Sequence, residues 1–367
     1  MSEHEPFDGE RLRLARVAQG LTLDELGDRI SATRQYLNQL EQGTKLPTEQ
    51  MVAALAAAVG VTPRFFGMTT KGSVRPEQCH FRKQLTTPMS VVSQVLARGT
   101  LLDRFIDGLD RELELPKVSF PDLPAVNVAE IEEAAEETRR AWKLGSGPVS
   151  SMTRVVENAG AVVSFFSGVS ERVDALSIDR PRPMIIRSEA KPAAVRLRFD
   201  LAHECGHLVM HRGIETGDKV TESQANRFAS AFLLPRSSFI HEFPRGRLLN
   251  WQAIFAMKLR WKVSAAAIIR RAFDLSVISA DQYRTGYIHL SKTGQKKVER
   301  YDDEMVAEQP ELLQSAMAAL EKAFPGAVRR LAAEAGLDAE MFCNVSGLKL
   351  PETATSQKST VIDLFSR

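Results

Sequence analysis

Five consecutive residues near the middle of the chain constrain its fold and chemistry more than any other feature: they read His203-Glu204-Cys205-Gly206-His207. On an α-helix the two histidines lie one turn apart, about 6 Å along the axis and on one face, so both imidazoles can reach one metal ion. Glu204 then projects toward a water bound to that ion and can act as a general base. The flanking residues are mostly apolar, which predicts a buried helix. Buried histidine and glutamate side chains need partners, so the pattern predicts a catalytic zinc (Zn²⁺) site with three protein ligands and a water.

The third metal ligand is less tightly determined by the sequence. His211 lies eight residues after His203, on the same face but about 12 Å along the axis. That is too far to share the ion unless the helix breaks, so we expect His211 to line the cleft or support the site. Glu222 begins a second predicted helix, and a carboxylate there would complete a His₂Glu site. Glu215 and Asp218, in the loop before it, are the alternatives.

A second feature lies near the N-terminus, where residues 21–43 read LTLDELGDRISATRQYLNQLEQG. Thr22 and Glu25 have the spacing of a capping box and predict a helix to about Ile30. Thr33 is a suitable N-cap for a second helix over residues 34–41. That second helix would have a polar face made of Arg34, Gln35, Asn38 and Gln39.

Arginine, glutamine and asparagine are the side chains that read base edges in the major groove. Two helices joined by a tight turn, the second with such a face, predict a helix-turn-helix DNA-binding domain. A small helical bundle with a merely solvated polar face is the alternative. Residues 1–70 carry seven basic and nine acidic side chains, so DNA binding would need a dimer or help from elsewhere in the chain.

The rest of the pattern predicts a multidomain, mainly α protein. An all-α helix-turn-helix domain is followed by an α+β zincin-like peptidase domain with a small sheet and then by a helical C-terminal region. Strands are predicted over residues 161–166, 174–178 and 183–187, where β-branched and aromatic residues concentrate. The predicted units are residues 1–67 (DNA-binding domain), 68–125 (linker and connecting helix), 126–242 (peptidase domain), 243–300 (basic helical segment) and 301–367 (helical region with a flexible tail).

Local charge supports a boundary near residue 300. Residues 243–300 carry twelve basic and three acidic side chains, whereas residues 301–325 carry one basic and six acidic ones. Within the basic segment, residues 251–273 read as helix, turn and helix, with Arg260, Lys262, Arg270 and Arg271 around the turn. A second helix-turn-helix that contacts nucleic acid is one interpretation. We favour the other, a solvated face on a bundle packed against the peptidase domain.

Composition bounds the class of protein. Apolar residues make up 44% and charged residues 26% of the chain, with a net charge of +2, which is ordinary for a globular protein. Its three cysteines are far apart, so neither a disulfide framework nor a zinc ribbon is expected. The first residues lack the apolar core of a signal peptide, and no apolar run is long enough to span a membrane. We therefore expect a cytoplasmic protein without a membrane partner.

The N-terminal residues resemble a known family. The similar positions are residues 12–16 (LRLAR), 20–22 (GLT), 25–26 (EL), 40–43 (LEQG), Pro47 and 55–61. Over about the first 67 residues the chain is similar to the xenobiotic-response-element (Cro/C1-type) repressors. The resemblance implies operator contacts from Thr33, Arg34, Gln35, Asn38 and Gln39, with Thr44 and Lys45 near phosphate. Leu23 departs from the family, which often has glutamine there, and this puts one phosphate contact in doubt.

The residues around the metal motif resemble a second family. The similar positions are residues 198–208 (RFDLAHECGHL), Glu222, 225–229 (ANRFA), 234–235 (LP), 131–132 (IE), Arg139, 142–145 (WKLG), 147–148 (GP) and 174–175 (DA). They are similar to the ImmA/IrrE metallo-endopeptidases. The resemblance implies that His203, His207 and Glu222 hold zinc and that Glu204 is the base. Cys205 stands where an apolar residue is usual. A small buried residue is the expected role, and a redox- or metal-sensing thiol is the alternative.

Together the two resemblances, over about residues 8–290, imply a transcriptional regulator that controls stress or mobile-element genes. Its peptidase would cleave a protein substrate, either a repressor or this chain itself. The alternative is a non-catalytic transcription factor or antitoxin-like autoregulator, with a toxin as its partner and a structural or idle zinc site. In both cases the partner is a double-stranded DNA operator, and operator symmetry leads us to expect a homodimer.

Overall fold

The computed structural model describes residues 6–68, 72–81, 88–166, 168, 175–187 and 193–352. The first part contains four helices, a short 3₁₀ helix Pro63–Gly67 and a first strand; their bounds are α1 Gly9–Gln19, α2 Leu23–Ile30, α3 Arg34–Glu41, α4 Glu49–Val59 and β1 Cys79–Phe81. The middle part follows, with α5 Met89–Glu112, α6 Val128–Ala141, α7 Met152–Asn158, β2 Val162–Phe165, β3 Ala175–Ile178, β4 Met184–Arg187, α8 Ala194–Met210 and α9 Lys219–Leu233. The last part is helical, with α10 Arg236–Glu242, α11 Trp251–Trp261, α12 Ala265–Asp274, α13 Ala280–Lys292, α14 Leu312–Ala323, α15 Ala327–Glu334 and α16 Ala339–Ser346.

The predicted helix-turn-helix is confirmed at both caps. The Thr22 side chain accepts a hydrogen bond from the Glu25 amide, and the Glu25 carboxylate accepts one from the Thr22 amide. The Thr33 hydroxyl accepts from the Tyr36 amide at the start of α3. Because each cap satisfies amides that have no partner inside the helix, these local signals fix where α2 and α3 begin.

A four-stranded sheet with the order β1-β3-β4-β2 lies at the centre of the molecule. Strands β2 and β4 are parallel, whereas β3 runs antiparallel to both of its neighbours, β1 and β4. Side chains that alternate along each strand point to opposite faces, and the two faces are covered by different hydrophobic cores.

The first core joins the two ends of the chain. It contains residues of α1–α5, of α14–α16 and of one sheet face, including Leu176 and Ile178. Helix α5 approaches β3 closely because residue 99 is glycine: a Cβ there would lie 2.7 Å from Cδ1 of Ile178. The DNA-binding helices are therefore not a freestanding unit but share a core with the C-terminal helices.

The second core contains α6–α13 and the opposite sheet face, including Val163 and Ile185. Arg139, buried in α6, donates to the backbone oxygens of Gly145, Gly147 and Phe232 and so ties the end of this helix to α9. This arrangement is a mainly α fold with a small sheet, as the sequence predicts. Among the residues that the structure describes, no helix is both long and apolar enough to cross a membrane.

One sequence interpretation needs correction. The stretch interpreted as a linker contains strand β1, which the sequence analysis missed because three residues carry too little pattern to reveal a strand. The connecting helix predicted inside residues 68–125 is α5, and it begins at Met89. The strand expected from residue 174 is observed from Ala175, since Asp174 lies outside the described residues, as does the predicted flexible tail beyond residue 352.

Candidate metal centre

Helices α8 and α9 bring the three proposed ligands together. The Nε2 atoms of His203 and His207 are 3.1 Å apart. The Glu222 carboxylate lies 3.4 Å from Nε2 of His203 and 3.5 Å from Nε2 of His207. One ligand atom from each residue thus falls within 4.8 Å of the others, which is a group that could hold a metal ion. Nitrogen and carboxylate donors in this number suit zinc.

The glycine of the motif allows α9 to approach α8. A Cβ on Gly206 would lie 3.0–3.1 Å from the side chain of Phe228 in α9, so a larger residue would push the two helices apart. Because α9 carries Glu222 and α8 carries both histidines, this close packing sets the distance between the nitrogen and oxygen donors.

Glu204 lies beneath the cluster and is almost completely buried, with 2% of its surface exposed. The Ser177 hydroxyl, on β3, donates to its Oε2 at 2.7 Å. Burial raises the pKa of Glu204 to about 7, although His203 and the Ser177 hydroxyl oppose that rise. A carboxyl group with a pKa near neutrality can both take up and release a proton near pH 7, as general acid–base chemistry requires.

The protonation states of the other groups suit metal binding. Burial lowers the pKa of His207 to about 4, so its imidazole is neutral at pH 7. For Glu222, burial raises the pKa, but the neighbouring His203 and His207 imidazoles outweigh it and hold the pKa at about 2. Neutral imidazoles and an ionised carboxylate are the forms that bind metals.

A chain of hydrogen bonds fixes which nitrogen of His207 carries its proton. The backbone oxygen of Val126 can only accept, so the amide group of Gln224 donates to it at 3.2 Å. The Gln224 Oε1 atom then accepts from Nε2 of His211 at 2.9 Å. His211 is left with an acceptor at Nδ1, which faces Nδ1 of His207 at 2.9 Å. His207 must therefore be protonated at Nδ1, and its Nε2 lone pair points to the cluster.

His203 is oriented in the same way by Asn226. Its Nδ1 lies 3.1 Å from Oδ1 of Asn226 in α9. An amide oxygen only accepts, so Nδ1 carries the proton and Nε2 is available to a metal ion. Such partners orient metal-binding histidines and raise their basicity. His211 thus lies where the sequence analysis expected it, beside the site and in contact with His207.

The other candidates near the motif lie outside the metal-binding group that the described residues form. Asp218 accepts from the amides of Val220 and Thr221 and so caps α9. Glu215 is exposed in the loop between α8 and α9. Burial raises the pKa of the Cys205 thiol well above its ordinary range, which favours the role of a small core residue over that of a reactive thiol.

The sequence analysis missed His80, which β1 brings to the site. Its ring stacks on that of His207, with centroids 5.1 Å apart and planes 6° from parallel. Its Nδ1 lies 3.0 Å from the Thr216 hydroxyl, and only 1% of its surface is exposed. Its Nε2 is buried and makes no hydrogen bond within the described part of the chain. No local signal marks His80, because the pairing of β1 with β3 joins segments about a hundred residues apart.

The predicted DNA-contacting residues form one surface on and after α3. Arg34, Gln35 and Asn38 are exposed, and Gln39 is partly exposed. The N-cap Thr33 and the turn residues Thr44 and Lys45 are exposed as well. The Arg34 guanidinium pairs with Asp24 of α2 at 2.8 Å, with both side chains mostly exposed. An exposed pair contributes little stability, so Arg34 can exchange Asp24 for DNA.

Contacts within the chain engage the basic side chains around the turn between α11 and α12, which favours the interpretation as a packed bundle. Lys258 is fully buried between Glu299 and Asp302, and Arg271 is buried against Glu132 of α6. Arg260 pairs with Glu242, and Lys262 donates to the backbone oxygen of Ser150. Helices α11 and α12 are joined by a short turn, and Arg260, Lys262 and Arg271 connect them to α10, to the segment before α7 and to α6. The interpretation as a packed bundle is the better one.

Two family models of known proteins match separate parts of the chain. Residues 156–273 match a peptidase family model described as the IrrE N-terminal-like domain. Residues 9–64 match a model described as a helix-turn-helix domain. The chain therefore combines a helix-turn-helix domain with a metallopeptidase-like domain.

Two curated relatives match the N-terminal part. Both are transcriptional regulator ClgR of Mycobacterium tuberculosis, from strains CDC 1551 / Oshkosh and ATCC 25618 / H37Rv, each 37% identical over 51 residues. The aligned region is the helix-turn-helix. It covers 14% of this chain and 46% of the regulator, so the chain spans about half the length of the curated relatives that it matches.

Proposed function

We propose that this protein is a DNA-binding transcriptional regulator with a zinc-dependent endopeptidase domain. The observation that carries the proposal is the convergence of His203, His207 and Glu222 above the buried carboxyl group of Glu204. The resemblance to regulators of stress and mobile-element genes supports cleavage of a protein substrate, a repressor or this chain itself, as the output.

In this proposal His203, His207 and Glu222 hold zinc. Bound zinc would supply Lewis acidity that activates a water and polarises a peptide carbonyl. Glu204, whose pKa is raised by burial to about 7, would be the base that accepts a proton from the attacking water and the acid that returns it to the leaving amine. Ser177 holds the Glu204 carboxyl group in place for both transfers.

The DNA-binding part of the proposal rests on the polar face of α3. Arg34 would read guanine, and Gln35 and Asn38 would read adenine, from the major groove. Thr44 and Lys45 would contact phosphate and set the position of the helix. The identity with a transcriptional regulator over this region supports an operator as the partner, and operator symmetry supports a homodimer.

A second candidate function is a regulator, antitoxin-like or otherwise, whose zinc site is structural or idle. The observation that favours it is the burial of the site: 2% of Glu204 and none of His207 is exposed. A polypeptide substrate could not reach these side chains in this conformation. The two candidates differ in whether any conformation of the protein cleaves a peptide bond.

The first experiment is to measure zinc per chain by elemental analysis in the wild type and in the His207→Ala variant. We expect about one zinc ion per chain in the wild type, because three protein ligands and a water complete one zinc site. We expect the variant to lose this ion. Zinc in neither protein would mean that the domain is a peptidase scaffold without its metal, and the proposal of an enzyme would be wrong.

The second experiment replaces Glu204 by Gln, which keeps the size and burial of the side chain but removes the base. We expect this variant to keep zinc and DNA binding while the response of the target genes is lost in cells. An unchanged response would exclude proteolysis and leave the idle-site regulator as the function.

A further inference from the structure

The buried state of the metal centre has a local cause in strand β1. Helix α8 lies against β3, and the Ser177 hydroxyl of β3 donates to Glu204. Strand β1 pairs with β3 on the side away from β4, and in this register His80 lies directly opposite Ser177. The His80 ring stacks on the ring of His207. Residues 79–81 therefore close both the edge of the sheet beside Glu204 and the space above one proposed ligand.

An extended peptide binds to a protein by adding a strand to an exposed sheet edge. Strand β3 passes Glu204, because the Ser177 hydroxyl donates to that carboxylate. The edge of β3 that pairs with β1 is the one next to the proposed ligands, because His80 of β1 stacks on His207. A peptide added there would run past the catalytic carboxyl group with its backbone held in register. In the described conformation that position is taken by β1, which runs antiparallel to β3.

We propose that β1 occupies, within its own chain, the position of the substrate peptide on β3, and that His80 covers the metal centre, so that this conformation is a latent peptidase. The inference rests on the proposed endopeptidase function and names its substrate-binding edge and its regulation. The substrate class that follows is an extended, unfolded segment of polypeptide.

Two observations make β1 suited to release. The strand is only three residues long, and the buried Nε2 of His80 makes no hydrogen bond within the described residues. A buried polar atom left unsatisfied is unfavourable, so this contact is weaker than the rest of the sheet. The residue just before β1 is held more firmly, since Asp179 donates its amide to the Gln78 backbone oxygen and the Gln78 side-chain amide donates to the Asp179 backbone oxygen. Release can thus be confined to β1.

The position of β1 in the chain supplies a route for a signal. It lies between the DNA-binding helices and α5, and α5 packs against α1. A change in the DNA-binding domain that moves α1 or α5 would pull on the strand that covers the metal centre. Operator binding or release is therefore the class of event that we expect to open the site.

The test of the cover uses a small probe for the metal, acetohydroxamate, which needs no peptidase activity. Wild-type, His80→Gly and His80→Phe proteins are loaded with cobalt, their metal content is measured, and acetohydroxamate is titrated while the cobalt absorption bands are recorded. A site that is open only part of the time binds more weakly in proportion, so we expect the Gly variant to bind about tenfold or more tightly than the wild type. The Phe variant keeps a ring of similar size and should bind like the wild type.

The test of the substrate edge locks β1 to β3. Cys79 pairs directly with Ile178, and cross-strand pairs of this kind have the Cα separation that a disulfide needs, about 4.5–5.5 Å. The variant His80→Gly/Ile178→Cys, in a Cys343→Ser background, would form a reducible bridge. We expect the oxidised protein to bind acetohydroxamate but not to cleave fluorescein-labelled casein, an unfolded probe, and the reduced protein to cleave it. The same protein with Glu204→Gln is the control for contaminating peptidases.

The outcomes separate this inference from the proposed function. Loss of cobalt binding in the wild type would refute the metal site itself. Equal acetohydroxamate affinity in metal-loaded wild-type and Gly proteins would show that His80 is not a cover. Casein cleavage at the same rate with and without the bridge would show that the peptide does not use the edge of β3. No cleavage by the reduced, metal-loaded protein would instead refute the proposed endopeptidase and leave the idle-site regulator as the function.

Discussion

At the scale of single residues, the metal centre depends on partners that the sequence motif does not include. Asn226 accepts from His203, and His211 accepts from His207. The hydrogen bond between His207 and His211 belongs to a chain that ends at the backbone oxygen of Val126. That oxygen can only accept, and this sets the direction of every hydrogen bond in the chain. The tautomer of a proposed ligand is thus set by a backbone group outside both helices of the site.

This chain of hydrogen bonds predicts the effect of Gln224→Leu. Without an acceptor at its Nε2, His211 no longer holds the proton of His207 at Nδ1. We expect zinc affinity, measured by competition with a chromophoric chelator, to fall about 10–100-fold, as for other partners of metal-bound histidines. Gln224→Glu keeps an acceptor and is the matched control. Nitrogen NMR of the metal-free wild type should find His207 protonated at Nδ1, and protonation at Nε2 would contradict the assignment.

At the scale of secondary-structure elements, α3 predicts how DNA is read. Replacing Arg34 and Gln35 together by Ala removes two base-reading side chains from its exposed face. Each such contact discriminates against a wrong base by about 1–3 kcal/mol. We expect specific binding to DNA from upstream of the gene to fall to the level of unrelated DNA, as measured by fluorescence anisotropy.

Lys45→Ala provides the comparison for that experiment. Loss of a phosphate contact should weaken binding to all DNA alike and reduce its salt dependence. If the Arg34/Gln35 variant kept its preference for the upstream DNA, the assignment of α3 as the recognition helix would be wrong.

A second element-scale prediction concerns the segment before α14. Glu308 accepts from the Thr153 amide at 2.7 Å and pairs with the buried Arg198 of α8. Burial raises the pKa of Glu308, but Arg198 and the Thr153 amide outweigh it, so the pKa is lowered. Glu308→Gln leaves Arg198 without a charged partner, and we expect a loss of about 1–3 kcal/mol in the free energy of unfolding.

The lowered pKa also gives the sign of the pH dependence. The ionised form is favoured in the folded protein, so the contribution of Glu308 is fully present above its unfolded pKa of about 4.3 and is lost as the pH falls through the lower folded value. Denaturation by urea at pH 7 and at pH 3.5 should therefore show a smaller difference between wild type and Glu308→Gln at the acid pH. An equal difference at both would contradict the ion pair.

At the scale of the whole molecule, the DNA-binding helices and the C-terminal helices stabilise each other. The Phe342 ring of α16 lies 4.9 Å from the Phe105 ring of α5 and is fully buried. Arg98 of α5 donates to backbone oxygens of Ala18 in α1 and Asn344 in α16. The C-terminal region, for which the sequence suggested no chemistry, is thus part of the support of the DNA-binding domain.

The shared core predicts that Phe342→Ala destabilises a domain more than 270 residues away in sequence. A buried phenylalanine truncated to alanine costs about 3–5 kcal/mol. We expect faster hydrogen exchange in α1–α4 as well as in α14–α16, measured by mass spectrometry. Phe324→Ala is the control, because Phe324 is 61% exposed. Unchanged exchange in α1–α4 would mean that the two ends of the chain do not unfold together.

The sequence by itself determined the parts of the protein that depend on short-range signals. The caps at Thr22 and Thr33 predicted where α2 and α3 begin. The β-branched and aromatic run at residues 161–166 and the short strand candidate at 183–187 placed β2 and β4 within about one residue. The motif at residues 203–207 and the helix that carries Glu222 predicted which three side chains would meet, and the fold brings them together; their binding of zinc stays a prediction.

Only the tertiary structure decided the rest. Strand β1 and His80 could not be found from sequence, because three residues have no detectable period and their partner strand is remote. The shared core of the two chain ends and the burial of Lys258 and Arg271 against carboxylates remote in sequence escaped prediction for the same reason. Hydrogen bonds between neighbours in sequence are fixed by the local residues, whereas the pairing of distant segments depends on which surfaces the whole chain can bury together.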